Sequence, residues 1–181
     1  MYSEEQKQEL SRAIGEYFVD QLLWRVLYLN GVANSWEGSE EIRKKLTSVP
    51  NTFRLIIDNI ERTPEGKELA DAVTQETQDY VQYIDCEFQN CTNLSTLNQK
   101  WNKSIERVIN SLARIYSEWS SRELEAIINH QQDLFEKLTS DIKNNKYGAL
   151  IEIVPIIRRL STDIANYLSQ GFIEKGPSGI F

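Results

Sequence analysis

The sequence predicts an all-α fold, an antiparallel helical bundle of about six helices arranged as three helical hairpins in one domain over residues 1–181. Three observations predict it. Apolar residues recur at spacings of three and four almost throughout, and strict alternation is nowhere sustained. Stretches rich in Asn, Pro, Gly and Ser interrupt that pattern where helices should end. A weak internal repeat, with an offset of about 55 residues, sets Glu68-Leu69 against Glu123-Leu124, Ile105 against Leu160 and Ile109 against Ile164. One hairpin buries a single face, so three must share a core.

Taken in order, Leu10, Ile14, Phe18, Leu22, Val26 and Leu29 mark the first helix, which Gly31 and residues 34–38 end. Ser39 is expected to cap a short second segment with Ile42 and Leu46 inward. Pro50 cannot donate to a continuing helix, so the chain should break and restart there, through Phe53, Ile56, Ile57 and Ile60. Thr63-Pro-Glu-Gly reads as a cap for a helix carrying Leu69, Val73, Tyr80, Ile84 and Phe88. "QNCTNLST" interrupts it, because Asn, Thr and Ser compete for backbone groups. Trp101, Ile105, Val108, Ile109, Leu112 and Ile115 follow. Ser120 or Ser121 should start the helix of Leu124, Ile127, Leu134, Leu138 and Ile142. After "NNKYG" a last helix runs through Ile153, Ile157, Leu160, Ile164 and Leu168, with a kink or late start expected at Pro155.

Composition narrows the function classes. The chain is 40% hydrophobic and 26% charged, enough apolar material for a sizeable core. Its net charge of -7 argues against a nucleic-acid partner, which needs a basic face. Arg43, Lys44 and Lys45 form a short solvated patch, not such a face. No segment approaches the roughly 18 apolar residues of a membrane span. Cys86 and Cys91 are too few for a disulfide framework, and the N-terminal "MYSEEQKQEL" lacks a signal-peptide pattern, so a reducing cytoplasm is expected. The sequons at Asn90, Asn93 and Asn102 carry no weight without secretion.

The informative positions are polar residues inside apolar stripes. Gln21 and Arg25 lie beside Phe18, Leu22 and Val26; Glu76 or Thr77 falls between Val73 and Tyr80; His130 or Gln131 falls between Ile127 and Leu134. A buried carboxylate or imidazole without a partner is costly, so groups buried together should meet. Gln21, Arg25, Glu76, His130 and Asp133 are therefore the candidate ligand-binding set. The plainer interpretation is a hydrogen-bond network that fixes packing, or a helix rotated to put these groups in water. Trp24 and Trp101 read as core; Trp36 and Trp119, at helix ends, could cover junctions between hairpins.

Catalytic chemistry finds no foothold. A di-iron bundle needs two Glu-x-x-His pairs, and His130, the one histidine, has Ile127 three residues before it. No zinc set, nucleophile motif or phosphate loop occurs, so no metal, cofactor or catalytic residue is assigned.

The stretches "LTSVPNTFRLI", "WNKSIERVINSL", "YSEWSSRELEAIINHQQDL" and "ANYLSQGFIEKGPSGIF" together resemble a family of small all-helical bacterial proteins. Some of its members carry the label acetylglutamate kinase, which neither their length nor a helical pattern supports. The likeness covers most of residues 18–181 and implies a bundle comparable, as an analogy of fold, to ferritin-like proteins. Family members tend to show a mid-helix histidine in each hairpin. Here Gln21 or Leu22, and Glu76 or Thr77, stand in two of those places. A site built on those histidines would be lost or altered in this chain.

Two functions remain in competition. The first is a non-enzymatic cytoplasmic protein that binds a protein partner or associates with itself through an exposed apolar stripe. The second is a bundle that holds a small ligand or metal around Glu76 and His130.

Overall fold

Helix α1 (Glu4–Ala33) starts at a cap that periodicity alone does not reveal. Ser3 Oγ accepts the Gln6 N–H at 3.2 Å, and Gln6 Oε1 accepts the Ser3 N–H at 2.8 Å, a capping box. The computed structural model describes residues 2–120 and 122–177. Six further helices follow: α2 (Ser39–Ser48), α3 (Pro50–Ile60), α4 (Pro64–Gln89), α5 (Leu94–Ile115), α6 (Arg122–Lys143) and α7 (Ala149–Lys175). A short 3-10 turn, Ser117–Ser120, precedes α6. No strand occurs among the described residues.

Most helix ends obey their local chemistry. Pro50 opens α3 at a position whose N–H would be unpaired in any case. It splits the stretch after α1 in two, which brings the number of α-helices to seven among the described residues, against about six expected. Thr63 caps α4 by accepting the Gly66 N–H at 3.2 Å, with Pro64 in its first turn. Asn90 ends α4 in the left-handed region at φ 53, which asparagine tolerates.

Two expectations are corrected, and the two tryptophans at helix ends differ. Ser39 is the first residue of α2 and not its cap; its hydroxyl donates to the Trp36 carbonyl at 2.6 Å. Helix α7 starts at Ala149, so Pro155 lies inside it with no late start. Trp36 is exposed at the α1–α2 turn, its ring near Gly31, whereas Trp119 is buried, its ring 4.6 Å from that of Phe172. A Cβ on Gly171 would collide with the Trp119 indole, so only glycine lets that ring lie flush on α7. Ser121, one of the two residues expected to start α6, lies outside the described residues, as do residues 178–181.

Two apolar clusters make the core. The first joins Leu10, Ile14 and Tyr17 of α1 to Phe53, Leu69, Leu112, Trp119, Ile164 and Phe172. The second joins Leu22, Tyr28 and Leu29 to Tyr80, Trp101, Phe135, Ile142 and Ile153. Helices α4 and α5 pack most extensively, followed by α1 on α7 and α6 on α7. Across α4 and α5, Glu68 meets Arg114, Asp79 meets Ser104, and Gln82 meets Lys100, so partners fall in number on α5 as they rise on α4. Helices α5 and α6 are not packed along their lengths; that seam positions the site.

Candidate functional site

Arg25 comes inward because α1 has buried Leu22, Tyr28 and Leu29 around it, on a face that passes from one apolar cluster to the other. A guanidinium there needs a carboxylate, and α4 supplies Glu76. The Arg25 Nη2 donates to Glu76 Oε2, and Trp101 Nε1 donates to Glu76 Oε1 at 2.7 Å. Both partners of the ion pair are buried. The guanidinium also lies over the Tyr80 ring, 4.5 Å from its centroid, and 5.4 Å from that of Phe135. Burial works against the charge on Arg25, but the Glu76 carboxylate outweighs it and holds the guanidinium pKa above its ordinary value.

Beside this pair lies a cavity of about 80 Å³. Its walls are largely apolar, with Phe18, Phe53, Val73, Ile105, Val108 and Ile164 among them. Its polar lining is Tyr17, Gln21, Arg25, Glu76, Trp101, Gln131 and Gln132. Two of these groups keep an uncommitted donor. Arg25 Nε is buried and has no hydrogen-bond partner among the described residues. The Tyr17 hydroxyl accepts from Gln21 Nε2 at 3.1 Å and donates to no acceptor among the described residues. Burial, assisted by the Glu76 carboxylate, raises the Tyr17 pKa well beyond the ordinary phenol range, so the hydroxyl keeps its proton. The cavity can therefore receive an acceptor oxygen on a small apolar body. The Glu76 carboxylate in its lining is engaged by Arg25 and Trp101.

Of the five residues expected to form a site, the structure gathers Gln21, Arg25 and Glu76 at this cavity. His130 and Asp133 are exposed on α6 and line neither cavity nor cleft. The expectation that His130 sits on the apolar face is thereby corrected. The inward positions of α6 run Leu124, Ile128, Gln131, Phe135, Leu138 and Ile142, and that register turns His130 outward. Gln131, the other residue at that turn, donates instead to Ser161 Oγ at 2.7 Å. No group of three or more His, Cys, Asp or Glu able to hold a metal occurs among the described residues.

Sequence reasoning missed Tyr17, Gln132 and the role of Trp101 as a donor. Trp101 had been expected only as core, and nothing in a helical stripe shows that an indole N–H meets a carboxylate on another helix. A findable signal was the polar stripe of Asn102, Glu106 and Asn110 facing Glu125, Asn129 and Gln132. These six residues, with Ile109, line a second cleft of about 360 Å³ between α5 and α6.

Cys86 and Cys91 are joined by a disulfide across the end of α4, with Cα atoms 5.1 Å apart. No described helix is long and apolar enough to cross a membrane. Comparison with protein-family models, with curated proteins and with solved structures found no match.

Proposed function

We propose that this protein is a small-molecule-binding helical bundle, without catalytic chemistry, whose ligand is uncharged and carries one acceptor oxygen. A single observation carries this reading. The Arg25 Nε–H is buried and unpartnered among the described residues, and the Arg25 side chain lines a mainly apolar cavity. An unmet buried donor costs about 1–3 kcal/mol, and an acceptor from a ligand recovers it. The charge on Arg25 is already neutralised by Glu76, so a carboxylate ligand would bring a second anion to a pair that needs none. A cavity of about 80 Å³ is roughly half the volume that holds benzene, which suits the end of a ketone, alcohol or amide.

In this reading the helices form three hairpins, α1 with α2 and α3, α4 with α5, and α6 with α7. The cavity lies where they meet. A metal at Glu76 and His130 has no geometric support, since the two residues do not face one space. Partner binding or self-association has weaker support. Leu55, Ile151, Val19 and Leu23 are exposed, but they sit on three different helices. Of the two grounds for a cytoplasmic setting, the cysteine count and the N-terminal pattern, the Cys86–Cys91 bond removes the first. Thiol counting on the unfolded, unreduced protein should find neither cysteine free.

The test is an NMR titration with three molecules of similar size: acetone, acetamide and acetate. The Arg25 Nε–H and Trp101 Nε1–H signals should shift saturably with acetone or acetamide and not with acetate. Signals that stay still with both neutral molecules, or that respond equally to acetate, would remove the reading.

A further inference from the structure

The cavity has two unlike ends. At one, Arg25 of α1, Glu76 of α4 and Trp101 of α5 are joined by the ion pair and the indole hydrogen bond. At the other, Leu69 of α4 and Leu112 of α5 meet Phe53, Ile164 and Leu168 within the first apolar cluster. Tyr17 lays its ring against Phe53 there, 4.9 Å between centroids, and ties its hydroxyl to Gln21, one turn nearer Arg25. At a rise of about 1.5 Å per residue, the α5 wall from Trp101 to Leu112 runs roughly 16 Å. A volume of about 80 Å³ drawn out over such a wall is a slot, too narrow for a ring. Gln21, Val108 and Ile128 line it between the ends and are half-buried, while Arg25, Glu76, Leu69 and Leu112 are buried. The opening is therefore along the flank, and both ends lie inside the bundle.

We infer that the ligand of this slot is a linear aliphatic molecule with an uncharged oxygen at one end, such as a primary alcohol or amide. It lies along the helices with its oxygen at Arg25 and its chain toward Leu112. The inference rests on the ligand-binding reading above and adds the shape and direction of the ligand. An unbranched chain is long and thin, as the slot is, and the open flank admits it without parting packed helices. Each methylene that it buries strengthens binding by a similar factor, about three- to four-fold. The unlike ends set its direction. Reversed, the chain would place its oxygen among Leu69, Leu112 and Leu168, where a buried polar group stays unpaired, and its methyl against the Arg25–Glu76 pair.

The test is an NMR titration of the whole chain with ethanol, n-butanol, n-hexanol and cyclohexanol, with acetone as the neutral reference. The Trp101 Nε1–H signal should shift saturably with each linear alcohol, and affinity should rise about three- to four-fold per methylene. Methyl signals of Leu112 and Leu168 should move with n-hexanol and stay still with ethanol, because only the longer chain reaches the far end. Cyclohexanol should bind at least about ten-fold more weakly than n-hexanol, since a ring leaves several methylenes outside the slot. Three results would each overturn the linear ligand: affinity flat from ethanol to n-hexanol, cyclohexanol bound as tightly as n-hexanol, or far-end methyls unmoved by n-hexanol. With acetone still bound, the ligand-binding reading would survive any of them. No saturable shift with acetone or with any alcohol would overturn both.

Discussion

On one side α5 closes against α4 through Trp101, Ser104 and Arg114; on the other it faces α6 through Asn102, Glu106 and Asn110 across a cleft. The α4 side combines ring contact with charge. Trp101 stacks on Tyr83 at 5.3 Å and meets Tyr80 edge-on, also at 5.3 Å. Arg114 grips Glu68 with two bonds of 2.8 Å, and Lys100 reaches Asp79 at 2.8 Å. The α6 side carries amides and carboxylates bridged by the Asn102–Gln132 bond. Both sides arise from one helix of 22 residues, on stripes only one residue apart. The difference shows that adjacent stripes of one helix can pack in opposite ways: apolar rings with paired charges seal a seam, and carboxamides with carboxylates line an open cleft.

The largest expected effect comes from breaking the sealed side with alkali. Burial pushes the Tyr17, Tyr80 and Tyr83 pKa values above the ordinary tyrosine value near 10. The folded chain then holds protons that the unfolded chain releases. Its stability is full below about pH 10 and falls as pH rises toward the raised values. Tyrosinate absorbance should appear together with loss of helical circular dichroism; ionisation well before unfolding would contradict the burial.

Next in size is Glu76→Ala, which strands the Arg25 charge among Tyr80, Phe135 and the cavity and should cost about 3–5 kcal/mol in urea unfolding. Replacing both partners with apolar residues, Arg25→Met with Glu76→Leu, should restore much of that loss. Trp101→Phe keeps a ring against Tyr83 but removes the donor to Glu76, for about 1.5–3 kcal/mol. The open side should respond far less. Gln132→Ala should change stability by under about 1 kcal/mol, and exposed His130→Ala by no more than about 0.5 kcal/mol in the same assay. A Gln132 effect as large as that of Glu76 would erase the contrast between the seams.

The site was half legible for a definite reason. Arg25, Gln21 and Glu76 stand out in sequence because a charged or amide side chain breaks an apolar stripe of strong periodicity. His130 looked equivalent, yet on α6 a rotation of one residue decides between His130 and Gln131, and both fit between Ile127 and Leu134. That rotation is set by how Phe135, Leu138 and Ile142 pack into the second apolar cluster, which is information from other helices. Gln132 was invisible for a related reason: its importance comes from the cleft on its far side.

By itself the sequence determined the helical class, the breaks at Pro50, Thr63 and residues 90–93, and the inward faces of α1 and α4. These follow from local physics: helical periodicity, the missing N–H of proline and the capping preference of threonine. Only the tertiary structure decided that Arg25 meets Glu76 and Trp101, that α6 turns His130 to solvent, and that α5 and α6 stand apart. Those outcomes depend on contacts between residues distant in sequence, where burial energy is shared among several helices and no single segment specifies its rotation.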